Sequence, residues 1–194
     1  VRLAVISLIA CVAGTARAEP ADPKGATGEP TDGPRPHFNL RVGGSTADDN
    51  RRPTICAEVG IAFGVSAEGC GTGSGFLHRD DGGEMAHFRA KVRIARRPVR
   101  GGAVDLALGA GFAELEVGRD DPGFDFGAPG GVEPTSVAGP ESSISAQYLA
   151  PLGRGFELIA NASVGLAYFR HAPELAVPQS RLQPFASFEL GVGW

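Results

Sequence analysis

Apolar residues recur at every second position through most of this chain, and that rhythm limits its fold more than any other feature. In 155–170, Phe156, Leu158, Ala160, Ala162, Val164, Leu166 and Tyr168 share one face, opposite Glu157, Asn161, Ser163 and Gly165. Successive strand side chains point to opposite sides, so the pattern specifies strands with one apolar and one polar face. The same reading holds for 37–44, 54–65, 85–96, 102–117, 142–151 and 181–194. A Gly-rich run at 70–78 is a weaker eighth strand.

The connections alternate in length. Short, turn-rich links follow the second, fourth and sixth strands: "SAEGCG" (66–71), "RRPVRGG" (96–102) and "PLGRG" (151–155). Longer polar links follow the others, the longest being 118–142. Short turns at one end and long loops at the other, on an even number of strands, is the layout of an up-and-down barrel in a bacterial outer membrane. The fold expected is all-β, an eight-stranded antiparallel transmembrane β-barrel over 37–194.

The first residues read as an address. Residues 1–18 combine Arg2, an apolar run from Leu3 to Gly14 and the small-residue site Ala16-Arg17-Ala18, a secretory signal with cleavage expected after Ala18. "LIAC" (8–11) resembles a lipoprotein box, but the apolar sequence continues past Cys11. Residues 19–36 are rich in Pro, Gly and acid, with little to bury, and read as a disordered periplasmic linker. No run of 18 apolar residues exists to make a membrane helix. The net charge of −4 gives no reason to expect a nucleic-acid partner.

Which face points inward is also legible. The polar face is mostly Gly, Ala and Ser with isolated charges, which suits a narrow lumen better than a soluble surface. On this register Arg41, Arg89, Lys91 and Arg93 face inward, as do Glu58, Asp105, Glu157 and Glu189. Charges in a tight interior are costly unless paired, so an ion-pair network is expected to plug the lumen. Aromatics on the apolar face fall at two levels. Phe38, Phe63, Tyr148, Phe156 and Trp194 lie toward the short turns, and Phe88, Phe112 and Tyr168 toward the long loops, as membrane-interface girdles would.

The chain here resembles the small eight-stranded outer-membrane barrels of Gram-negative bacteria, of the OmpA or OmpX kind. The signal segment, the alternation, the loop asymmetry and the ending "FELGVGW" carry the resemblance. Phe188, Leu190 and Val192 alternate before the final aromatic, Trp194; the family more often ends on Phe. The resemblance implies outer-membrane lipid as surroundings and the barrel-assembly machinery as a partner for the last strand. Pro184 must lie at that strand's start or at a bulge.

Chemistry is sparse. In an oxidising compartment Cys56 and Cys70 are free to form a bridge. A hairpin turning near Ala67, however, separates their Cα atoms beyond the roughly 7 Å limit. Either that register is wrong or the thiols stay free. His37, His78, His87 and His171 show no metal-ligand spacing. Residue type alone offers His87 with Ser145 or Ser163 for a hydrolase, and no enzyme is expected. "GRDDPGFD" (118–125) lacks the full ligand pattern of a calcium loop. Loop 118–142 is the candidate external recognition surface. No cofactor or metal is expected. The role expected is structural or surface-interactive, with a mostly closed lumen. The alternatives are a soluble lipocalin-like barrel for a small apolar ligand, and a narrow pore or outer-membrane enzyme.

Overall fold

The structure, a computed structural model, describes residues 38–48, 52–73, 83–118, 126 and 134–194. The signal segment 1–18, Cys11, the linker 19–36, His37, His78 and most of 118–125 lie outside the described residues. Eight strands follow in chain order: β1 (Phe38–Ser45), β2 (Thr54–Ala62), β3 (Val65–Gly71), β4 (Glu84–Val99), β5 (Gly102–Glu116), β6 (Ser136–Gly153), β7 (Phe156–Tyr168) and β8 (Leu182–Gly193). Each pairs antiparallel with its sequence neighbours, and β8 returns to β1, closing the barrel.

The closure fixes the tilt. Cross-strand partners run once around from Phe38 through Val59, Ala67, Ala90, Ala110, Ser142 and Leu166 to Pro184. That path arrives beyond Ser187, the partner of Ser45, so the sheet closes with a stagger of about ten residues and strands tilted by roughly 40°. Tight turns lie at Phe63–Gly64, Arg100–Gly101 and Arg154–Gly155, and the long links are at the other end. Pro184 sits where β8 extends past β1 and pairs only with β7, so its missing N–H removes no ladder bond on the β1 side.

One register expectation is corrected. The second hairpin turns at Phe63–Gly64, not near Ala67, and "SAEGCG" is strand β3 rather than a turn. Both turn residues have positive φ, 50° at Phe63 and 77° at Gly64, which matches the twist of a two-residue type I′ turn. Phe-Gly is an unusual pair for that turn, so the sequence signal was weak. The shift places Cys56 directly opposite Cys70, and the two form a disulfide. Phe63 leaves the apolar wall and projects from the turn tip, fully exposed. The fifth link is also shorter than read, because β6 begins at Ser136 and only 117–135 remain as loop.

The two faces have opposite characters. Outward residues are apolar and exposed, among them Leu40, Val42, Leu108, Ile144, Leu158, Leu190 and Val192. Inward residues are buried and, at mid-height, mostly polar: Arg41 is 0% exposed, and Asp105 and Glu189 1% each, with Leu149 and Ile159 buried toward the short turns. Small residues on the inner wall make room for long ones. A Cβ on Gly109 would overlap the Ser143 hydroxyl and crowd Arg89 Cδ at 3.3 Å; one on Gly191 would stand 2.7 Å from Arg41 Cγ.

The disulfide closes a short loop, with a sequence separation of 14. Removing a cross-link of that loop size costs about 3 kcal/mol through the unfolded chain. Cys56→Ser with Cys70→Ser, or reduction of the native protein, is expected to lower stability by about that amount in equilibrium urea unfolding.

Candidate functional site

The lumen holds the densest polar chemistry of the described residues. At mid-height four side chains form an alternating ring. Arg41 donates from Nη1 to Glu58 at 2.8 Å and from Nη2 to Glu68. Lys91 Nζ donates to the same two carboxylates, at 3.0 Å to Glu58 and 2.9 Å to Glu68. Arg89 Nε adds a third cation on Glu68 at 2.5 Å. Ser66, Asn39 and Gln147 also donate to Glu58, at 2.5, 3.2 and 3.3 Å. The backbone explains the meeting: Glu58 is opposite Glu68, and Glu68 opposite Arg89, so three adjacent strands place them abreast. Arg41 reaches in from β1.

Arg41, Glu58, Arg89 and Lys91 therefore meet, and Glu68 is the member that sequence reading missed. Its residue had been assigned to a turn, although with the hairpin at Phe63–Gly64 its parity points inward. Arg93 and Asp105 form a separate, looser group toward the short turns. There Arg93 and Arg96 each approach Asp105 at 3.8 Å, and both arginines are partly solvated. Glu189 faces the ring from β8 and accepts a 2.5 Å hydrogen bond from Asn161. Glu157 lies lower on β7, opposite Gly193, half-buried.

Above the ring the lumen changes character. His87 Nδ1 contacts Glu141 at 2.6 Å, and its ring lies 4.4 Å from that of Phe185. Arg89 stacks over the other side of the layer, 5.6 Å from the Phe185 centroid. Neither Ser145 nor Ser163 is the partner of His87; Ser163 bonds Ser187 at 2.6 Å. Next comes an apolar cap. Met85, Leu115, Val137, Phe169 and Phe185 converge from five strand ends, and Ala172 and Leu175 of the link 169–181 bury onto them. A 3-10 turn at Ala172–Glu174 folds that link across the mouth, held by Ala176 N–H donating to Pro134 O at 2.8 Å.

The aromatics occupy the two ends of the outer wall. Phe38 and Phe156 flank Trp194, with centroids 4.9 and 6.3 Å away, and Tyr148 donates to Arg100 O at 3.4 Å. Phe88 and Phe112 stack near the long links, with Phe126 edge-on to Phe112, and Tyr168 also lies there. Among the described residues no cluster of His, Cys, Asp and Glu is arranged to hold a metal ion.

No protein-family model matches the sequence, and neither a curated protein nor a solved structure matches it. The functional reading therefore rests on the geometry.

A carboxylate that neutralises three buried cations cannot be removed cheaply. Losing one partner from a buried pair costs about 3–5 kcal/mol, while a partly solvated pair at 3.8 Å is worth at most about 1 kcal/mol. Glu68→Gln is expected to destabilise the barrel by the larger amount and Arg93→Gln by the smaller, compared by urea midpoints at unchanged m-value.

Proposed function

We propose that this chain is a bacterial outer-membrane barrel with a structural or surface-interaction role and a closed, ion-paired lumen. One observation carries the reading: the height of the apolar wall. β7 runs 13 residues from Phe156 to Tyr168. At about 3.3 Å per residue and roughly 40° of tilt, it spans roughly 30 Å along the axis. Every outward residue on it is apolar, and both ends are aromatic. Outer-membrane barrels carry an apolar band about 25 Å tall between aromatic girdles.

Two further features support this. Soluble monomers rarely expose contiguous apolar patches beyond a few hundred Å2, and here the apolar surface encircles the barrel. Closure of β8 on β1 also pairs every strand on both sides through the middle of the barrel, as hydrocarbon requires of a spanning sheet. In this setting outer-membrane lipid is the main partner, the barrel-assembly machinery engages β8, and the signal segment exports the chain. The filled lumen favours anchoring or recognition through the long links over conduction. No catalytic group, cofactor or metal enters the proposed role.

Trp194, the single tryptophan, is half-exposed on the outer wall and reports directly on lipid contact. The protein is expected in the outer-membrane fraction, with gel mobility that changes on heating, and brominated phosphatidylcholine should quench its Trp194 fluorescence. Recovery without detergent, with no quenching, would overturn the reading in favour of a soluble lipocalin-like barrel.

A further inference from the structure

One sector of the outer wall is not a plain apolar surface. Over β5, β6 and β7 it is hollowed into a groove of about 630 Å3. Leu108, Ile144 and Val164 form one cross-strand row of it, and Ala110, Ser142 and Leu166 the next. Ala110 and Ser142 leave the floor low between larger neighbours. Toward the short turns the same face stays shallow, with Ala146 beside Ala162 and Tyr148 beside Ala160.

At the foot of this sector the surface turns basic. Arg97, Arg100 and Arg154 are exposed there. Arg97 pairs with Val104, which pairs with Tyr148, so it stands on the outward face, in a cross-strand row four residues of β5 below Leu108. Arg100 belongs to the β4–β5 turn, whose carbonyl receives the Tyr148 hydroxyl. Arg154 is the tip of the β6–β7 turn, between Gly153 and Gly155, all three with positive φ; six residues of β6 beyond Tyr148, it stands apart from Arg97. Asp105 is buried inside, and Glu157 holds an inward, half-buried position on β7.

The spacing links the two features. Six residues of β5 separate Ala110 from Val104, the partner of Arg97, roughly 15 Å along the barrel axis. One leaflet of a bilayer has about 15 Å of hydrocarbon. With the arginines at headgroup depth, the groove lies where acyl chains end. Arginine forks suit phosphate oxygens, and a basic cluster beside an apolar cradle complements an anionic amphiphile.

We propose that the β5–β7 face binds one anionic phospholipid, its phosphate held by Arg97 and Arg100 and an acyl chain laid over Ala110 and Ser142. This rests on the outer-membrane reading. Cationic residues at a membrane surface each favour anionic lipid by about fivefold. The protein, in zwitterionic detergent with equimolar phosphatidylglycerol and phosphatidylcholine, is examined by native mass spectrometry. One retained phosphatidylglycerol is expected, preferred at least about tenfold over phosphatidylcholine. The preference should vanish in the combined variant Arg97→Gln, Arg100→Gln. Ala110→Leu with Ser142→Leu, which fills the groove with the charges intact, should reduce retention of both lipids. Equal retention of the two lipids, a preference that survives loss of the arginines, or unchanged retention after filling the groove would overturn the site. Heat-modifiable mobility and quenching of Trp194 by brominated phosphatidylcholine are read on the same samples. A protein that passes both yet shows no lipid preference lacks this site but keeps its membrane placement.

Discussion

Two glutamates, Glu58 and Glu68, stand inside a ring of eight strands, where no bulk water can carry their charge. Three cations must reach them across a narrow lumen, and the rest of the interior is arranged around that requirement. Long side chains from β1, β3 and β4 cross the space, so the facing walls on β5 and β8 recede to glycine at Gly109 and Gly191. The strand register cannot slip by one residue, because a slip would turn both carboxylates outward onto the apolar wall. The disulfide pins that register from the neighbouring inward position of β2 and β3.

The lumen has two storeys with different physics. The lower one is satisfied mainly by charge, with each carboxylate of the ring shared between cations and Leu149 and Ile159 filling the space toward the short turns. The upper one is satisfied by exclusion, where Met85, Leu115, Val137, Phe169 and Phe185 meet under the link 169–181. His87 and Glu141 sit at the boundary, against Phe185, and close off the polar layer. An interior filled this way gives the barrel a rigid body on which the long links stand. Its outer wall is then the surface with room for partners, which is where the groove over β5–β7 and the arginine turns are found.

Much of this was legible in the strand alternation. Parity alone placed Arg41, Glu58, Arg89 and Lys91 inside and the large apolar residues outside. The same parity would have placed Phe185, Phe169 and Leu115 inside, because they share the odd positions of Glu189, Asn161 and Gly109. They were not recognised as a cap because apolar residues at strand ends look like continuations of the outer wall. Glu68 was lost for a different reason. Gly69 and Gly71 weaken the strand pattern, and the turn-rich composition of "SAEGCG" outweighed the two-residue turn at Phe63–Gly64. Turn chemistry with a bulky residue at positive φ has no strong sequence mark.

The sequence by itself determined the strand count, the antiparallel order and which face is apolar, because a period of two is a local property of each strand. Only the tertiary structure decided who meets whom in the lumen. Partners such as Arg41 and Glu68 lie on strands that are not adjacent, so their meeting depends on closure, stagger and tilt together. Those are properties of the whole ring. The groove over Ala110 and Ser142 and its placement relative to Arg97 likewise depend on the register of β4, β5 and β6, which brings residues distant in sequence onto one face of the wall.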